Sequence, residues 1–181
     1  FKNKKVLITG HTGFKGSWLS EWMRIMDAEV FGISLPPSTN PSHYELLSLN
    51  KRVDNNLINI KDYSKLKSRI HEIKPDYIFH LAAQPIVKIS YDDPLDTFNT
   101  NAIGTLNLLE SLRDLKNECI VILITSDKCY KNVEWIWGYK ETDQLGGSDP
   151  YSASKASAEL IIKSYIDSFF KTGGKIRIGI G

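Results

Sequence analysis

The sequence predicts an α/β protein built on a doubly wound parallel sheet, and three observations predict it. Short apolar runs alternate with longer helical patterns from Lys5 to Ile180. The runs are apolar throughout rather than at every second residue, as strands covered on both faces require. A glycine-rich turn, Thr9-Gly10-His11-Thr12-Gly13-Phe14-Lys15-Gly16, joins the first run to the first helical pattern. Right-handed crossovers between parallel strands then place helices on both sides of the sheet.

The elements follow in order. Lys5–Thr9 reads as the first strand and residues 13–27 as a helix, on which Trp18 and Trp22, four apart, read as core or helix-packing residues. Residues 29–33 form the second strand, and Pro36-Pro37-Ser38-Thr39-Asn40-Pro41 a turn-rich loop. Residues 57–60 read as the third strand, and Tyr63–Ile73 as a helix closed by Pro75. Residues 77–81 are the fourth strand, residues 84–93 a polar loop, and residues 94–115 a long helix. The fifth strand is 119–125, followed by a long loop, 129–150, that carries Trp135, Trp137 and Gly146-Gly147. A helix at 152–170 and a sixth strand at 175–180 complete the pattern. The three loops leave strands at their carboxyl ends, where open α/β sheets bind ligands.

The 181 residues suffice for one domain, 41% hydrophobic and 24% charged, with a net charge of +2. Mixed charge offers no footprint for nucleic acid. No run approaches the roughly 18 apolar residues of a membrane span, and the first residues lead straight into a strand rather than a signal peptide. Cys119 and Cys129, expected in different environments, read as free thiols of a cytoplasmic protein. No ligand cluster suggests a metal. The sixth strand ends at Gly181 with nothing to cap the sheet edge, so the expectation is a single nucleotide-binding domain, 1–181, whose substrate-binding portion lies outside this chain.

In the turn, Gly10 permits the tight bend, Gly13 lets a pyrophosphate approach, and Gly16 allows helix to pack on strand. The helix N-terminus offers free N–H groups to phosphate, and His11 and Lys15 could reach phosphate or ribose. Ser34 stands at the tip of the second strand, where an acidic residue for the adenosine ribose is absent. Spacing therefore leaves NAD against NADP open. Thr125-Ser126-Asp127-Lys128 puts a hydroxyl, a carboxylate and an ammonium at the end of a buried strand, a costly arrangement for packing alone. Tyr151 and Lys155 stand four apart at the start of a helix, so the ammonium can favour the phenolate and make Tyr151 a proton acceptor.

With Leu81-Ala82-Ala83 after the fourth strand and Asn101-x-x-Gly104-Thr105 in the next helix, these features resemble the extended short-chain dehydrogenases/reductases, a Rossmann-type fold. Gly10 to Trp18, Ala83-Gln84-Pro85, Ser126 to Tyr130 and Trp135 to Tyr151 resemble the nucleotide-sugar 4,6-dehydratases within them, those acting on CDP-glucose above all. The resemblance implies NAD as cofactor and a lyase of deoxysugar and O-antigen biosynthesis. Tyr151, with Lys155 and Ser126, takes the C4 hydroxyl proton as hydride leaves C4. Asp127 protonates the departing C6 hydroxyl, and hydride returns at C6. Lys128 stands where the dTDP-glucose enzymes carry the glutamate that takes the C5 proton; an ion pair with Asp127 is its simpler reading.

The resemblance also implies that Phe14, Asn59, Ile60, Leu81, Ala82 and Ala83 line the cofactor site and that Gln84, Ser126, Asp127 and Lys128 meet the substrate. It implies that Asn101 ties backbone together rather than reacting. Ile103, Leu106, Leu109 and Leu112, and Leu160, Ile161, Tyr165 and Phe169, exceed one sheet-facing stripe. The resemblance implies that these helices pair in a four-helix bundle, giving a homodimer or homotetramer. The alternatives are a nucleotide-sugar epimerase or reductase, which needs no pair at 127 and 128, and a cofactor-sensing relative, which would lose the tyrosine or lysine.

Overall fold

The computed structural model describes residues 1–170 and 173–181. β1 (Lys5–Thr9) lies inside the sheet, flanked in parallel by β2 (Glu29–Ser34) and β4 (Tyr77–His80). β3 (Asp54–Leu57) extends beyond β2, while β5 (Cys119–Leu123) and β6 (Ile176–Ile180) extend beyond β4. The order β3-β2-β1-β4-β5-β6 reverses direction between β1 and β4, which opens a crevice at the carboxyl ends of the strands.

The third strand corrects the sequence expectation of 57–60. The strand that forms is the polar stretch Asp54-Asn55-Asn56-Leu57, because an edge position needs a ladder more than apolar faces. Asn56 Nδ2 adds a bond to the Gly32 carbonyl. The apolar Ile58 and Ile60 follow the strand and pack into the core.

The two faces of the sheet are covered unequally. On one, α3 (Tyr63–Ile73), α6 (Gly104–Leu112) and α7 (Pro150–Phe169) bury Leu66, Ile70, Leu108, Leu109, Leu112 and Ile162 against Leu7, Ile33, Ile78 and Val121. Each such side chain contributes about 1.5–3 kcal/mol on burial. The other face has a smaller cluster, where Met23 and Leu19 of α1 (Phe14–Ile25) meet Val6, Ile8 and Val30.

α1 reaches the sheet through small residues, burying Gly16, Ser17, Ser20 and Met23. That turns Trp18 and Trp22 outward, 56% and 62% exposed, which corrects their reading as core residues. With Phe14 and Ile25 they border a shallow apolar groove of about 590 Å³. Two short turns of helix, α2 (His43–Leu46) and a 3₁₀ turn at Leu49–Lys51, fill the connection to β3. The Trp18 ring stacks on His43 at 4.4 Å.

Residues 84–93, expected as a polar loop, contain α4 (Val87–Asp92). The helix expected at 94–115 is α5 (Pro94–Phe98), a π-helical turn at Asn99–Ile103, and α6 in succession. Cys119 and Cys129 are both free and both buried, not in contrasting environments. Burial pushes their thiols up to about 12 and about 11, as inert structural cysteines require. No described helix is long and apolar enough to cross a membrane.

Candidate functional site

The glycine turn forms the first half of the site. Gly10 has φ +75°, and a Cβ there would lie 2.8 Å from the backbone nitrogen of Ala82, so the turn rests directly on the end of β4. A Cβ on Gly16 would lie 2.1 Å from the Gly10 carbonyl oxygen. Gly13 caps α1 without a side-chain hydrogen bond, and no acidic residue sits in its first turn. By contrast, Asp62, Asp93 and Asp149 cap α3, α5 and α7 through their carboxylates. The first N–H groups of α1 are thus left to an anion, which is what a dinucleotide pyrophosphate requires.

The other predicted cofactor residues divide. Gly13, Phe14 and Lys15 are exposed at the mouth of the turn. His11 is fully buried, its Nε2 donating to Asn55 Oδ1 at 2.7 Å, and burial lowers its pKa. Its ring occupies the space a Cβ on Gly32 would need. Ser34 is buried with its hydroxyl 2.7 Å from that of Thr12. Asn59 Oδ1 accepts from the Lys61 N–H. The Ile60 side chain is a core residue against Gly104, and its carbonyl accepts from Asn107 Nδ2. Leu81 faces α1 and Phe14 in the apolar groove, and Ala82 and Ala83 are half-buried at the end of β4.

The reacting half lies past β5. Ser126 caps the 3₁₀ turn Asp127–Cys129, accepting the Lys128 N–H, and its hydroxyl donates to Asp127 Oδ1 at 3.2 Å. Asp127 and Lys128 are both exposed, and no ion pair joins them among the described residues. A cleft of about 1010 Å³ brings together Lys15, Thr125, Ser126, Asp127 and Tyr151. Lys128 and Gln84 stand outside its lining. Among the described residues, no group of His, Cys, Asp and Glu could hold a metal ion.

α7 starts where its sequence says it should: Asp149 accepts the Ser152 N–H, and Pro150 supplies the fixed φ of a first helical position. Tyr151 is 8% exposed, its N–H held by Ser90 Oγ of α4 at 3.1 Å. Lys155, one turn on, is buried, and its Nζ donates to the Ile124 carbonyl at 3.4 Å. Burial lowers the lysine to about 8.

The π turn explains how the two halves are joined. It aims Asn101 inward, where Nδ2 donates to Ser154 Oγ and the Gln84 carbonyl, and Oδ1 accepts the Gln84 N–H. This is the tying role the sequence suggests. The Gln84 amide is itself engaged, donating to Thr97 Oγ1 and accepting the Ile86 N–H.

Two residues escaped the sequence reading. His80, at the end of β4, bonds Thr9 Oγ1 through Nδ1 and Thr105 Oγ1 through Nε2. Burial and the nearby Lys155 push it down to about 3, so it is a neutral bridge. Glu159 continues the face of Tyr151 and Lys155 and lines the cleft; its four-residue spacing from Lys155 was the available signal.

Residues 7–172 match the profile of the family described as GDP-mannose 4,6 dehydratase. Over its whole length the chain is 46% identical to CDP-glucose 4,6-dehydratase of Salmonella typhimurium, covering 50% of that protein. It is 32% identical to GDP-mannose 4,6-dehydratase of Vibrio cholerae, over 92% of this chain and 46% of that one. The structure resembles UDP-glucose 4-epimerase of Thermus thermophilus, solved as a complex with NAD, with a TM-score of 0.78 and 29% identity. That match covers 92% of this chain and 52% of the epimerase. The chain spans about half the length of these relatives.

Proposed function

Because the chain belongs to the GDP-mannose 4,6-dehydratase family of extended short-chain dehydrogenases/reductases, we propose that the whole protein is an NAD-dependent nucleotide-sugar 4,6-dehydratase acting on CDP-glucose. The observation that carries this reading is the single cleft that joins Ser126 and Asp127 to Tyr151, beside the uncapped glycine turn. The cofactor site fits a dinucleotide: Gly10 and Gly16 let the turn close against Ala82 and the start of α1, and exposed Gly13 opens the uncapped N–H groups of α1 to the pyrophosphate. Ser34 and Asn59 are assigned to the adenosine side by family resemblance. When bound, NAD accepts a hydride from the sugar and returns one to it.

The chain's own residues then carry the protons. Tyr151 removes the C4 hydroxyl proton, its phenolate favoured by the Lys155 ammonium, and Ser126 orients that hydroxyl. The C4 ketone acidifies the neighbouring C5–H. Lys128, unpaired with Asp127, takes the C5 proton, and Asp127 protonates the departing C6 hydroxyl. Exposed just outside the lining of the cleft, Lys128 is free to swing toward the substrate. Gln84 acts indirectly, through its bonds to Asn101 and Thr97.

CDP-glucose is favoured by 46% identity over the full chain, against 32% for the GDP-mannose enzyme. Lys128 in place of a glutamate points the same way. Leu95, Ile103, Leu160 and Phe169 are exposed on α5–α6 and α7, which supports a homodimer through these helices. The buried free thiols suit a reducing cytoplasm.

The test is to incubate the full-length protein with CDP-glucose, GDP-mannose and dTDP-glucose without added reductant. A 4-keto-6-deoxy product from CDP-glucose, with no net reduced cofactor, is expected. Epimer without loss of water would sink the reading. A Lys128→Gln variant should oxidise C4 yet lose C5 proton exchange; exchange at the parental rate removes Lys128 from the base role.

A further inference from the structure

Glu159 has no part in the chemistry above, yet it is built into the cleft. It follows Lys155 by one helical turn and Tyr151 by two, on the same face of α7. The Thr125 hydroxyl donates to Glu159 Oε1 at 2.5 Å, which fixes the carboxylate at the end of β5. Thr125 therefore does for Glu159 what Ser126 does for Asp127: each hydroxyl past β5 holds one acid.

We propose that Glu159 is the positioning residue that keeps Lys155 an ammonium, with Thr125 aiming its carboxylate. The proposal deepens the reading of Tyr151 and Lys155 as a proton-transfer pair and rests on it. Lys155 needs such a partner because its surroundings oppose its charge. It is buried. Lys15 of the glycine turn presents a second cation, which also disfavours the ammonium. His80 on β4 is a neutral neighbour, and the Cys129 thiol beyond β5 is held protonated by burial. Tyr151, from the same helix, supplies negative charge only when it has given up its proton. Glu159 supplies it beforehand.

The balance is close. Burial, the largest influence, brings Lys155 down to about 8 although Glu159 works against the fall. Removal of that carboxylate would lower the lysine further, and a neutral amine no longer favours the Tyr151 phenolate.

The experiment uses full-length protein and two readouts. Trace acetylation with acetic anhydride, followed by mass spectrometry of the Lys155 peptide from about pH 6 to 10, gives the lysine's midpoint without any turnover. The pH profile of kcat/KM gives the functional counterpart. In Glu159→Gln both the labelling midpoint and the basic limb of kcat/KM should fall by about one pH unit. Glu159→Asp should restore part of the difference, and Thr125→Val should shift both in the same direction by less. Thr125→Val carries the test alone if Glu159→Gln fails to fold. An unchanged midpoint in a folded variant overturns the proposal, as does lost activity with an unshifted profile. A shifted midpoint in a protein that dehydrates no nucleotide sugar leaves the charge relationship standing and removes the proposed reaction instead.

Discussion

At the scale of single residues, the glycine turn and the Tyr151/Lys155 pair were legible because steric need and helical spacing leave few substitutes. Gly16 has no room for a methyl group against the Gly10 carbonyl. Gly16→Ala should therefore cost about 1–3 kcal/mol of stability and abolish NAD binding, as urea unfolding and titration calorimetry would show. Unimpaired NAD affinity would mean the turn is not the pyrophosphate cradle. Tyr151→Phe should lower kcat by about 10²–10⁴ with the dissociation constant for the proposed substrate, CDP-glucose, unchanged, measured by stopped flow and calorimetry. The roles of His80 and Glu159 were not legible. Each depends on partners brought by distant strands and helices, such as Thr105 for His80 and Thr125 for Glu159. Trp18 and Trp22 misled for a related reason: four-residue spacing marks a shared face, not which way that face points.

At the scale of elements, pattern revealed strands that are buried and helices with caps, as with Lys5–Thr9 and Tyr63–Ile73. It failed where an element is held by hydrogen bonds rather than apolar burial. β3 is polar because it lies at an edge, and α4 was hidden in a polar stretch although Ser90 anchors it to the start of α7. The π turn has no periodic signature, yet it sets Asn101 among Gln84 and Ser154. Asn101→Ala removes three bonds worth about 0.5–1.5 kcal/mol each. It should cost roughly 2–4 kcal/mol in chemical denaturation and lower kcat as well, since α7 and the segment after β4 lose their shared tie. A kcat equal to that of the parent would make the tie purely structural.

At the scale of the whole molecule, acid tests the buried bridge through His80. Its folded pKa, about 3, lies below the unfolded value of 6.5. The unfolded chain therefore takes up the proton first, so stability present above pH 6.5 is lost as pH falls toward 3. The shift implies a loss of roughly 3–5 kcal/mol over that window. His80→Asn should flatten this part of the urea-denaturation profile; a profile with the parental slope would refute the assignment. Light scattering at micromolar concentration should give a dimer, and a monomer would refute pairing through α5–α7. The centre of the sheet has a further consequence, for the order in which the protein is made. β1 pairs with β4 from Val6 opposite Tyr77 to Thr9 opposite His80, so this neighbour arrives some seventy residues later. Gly10 leans on Ala82, and the turn has no seat until that residue has left the ribosome. Closing so wide a loop is the slow part of assembling the sheet. Nascent chains that end before β4 should not hold the cofactor, however complete their glycine motif.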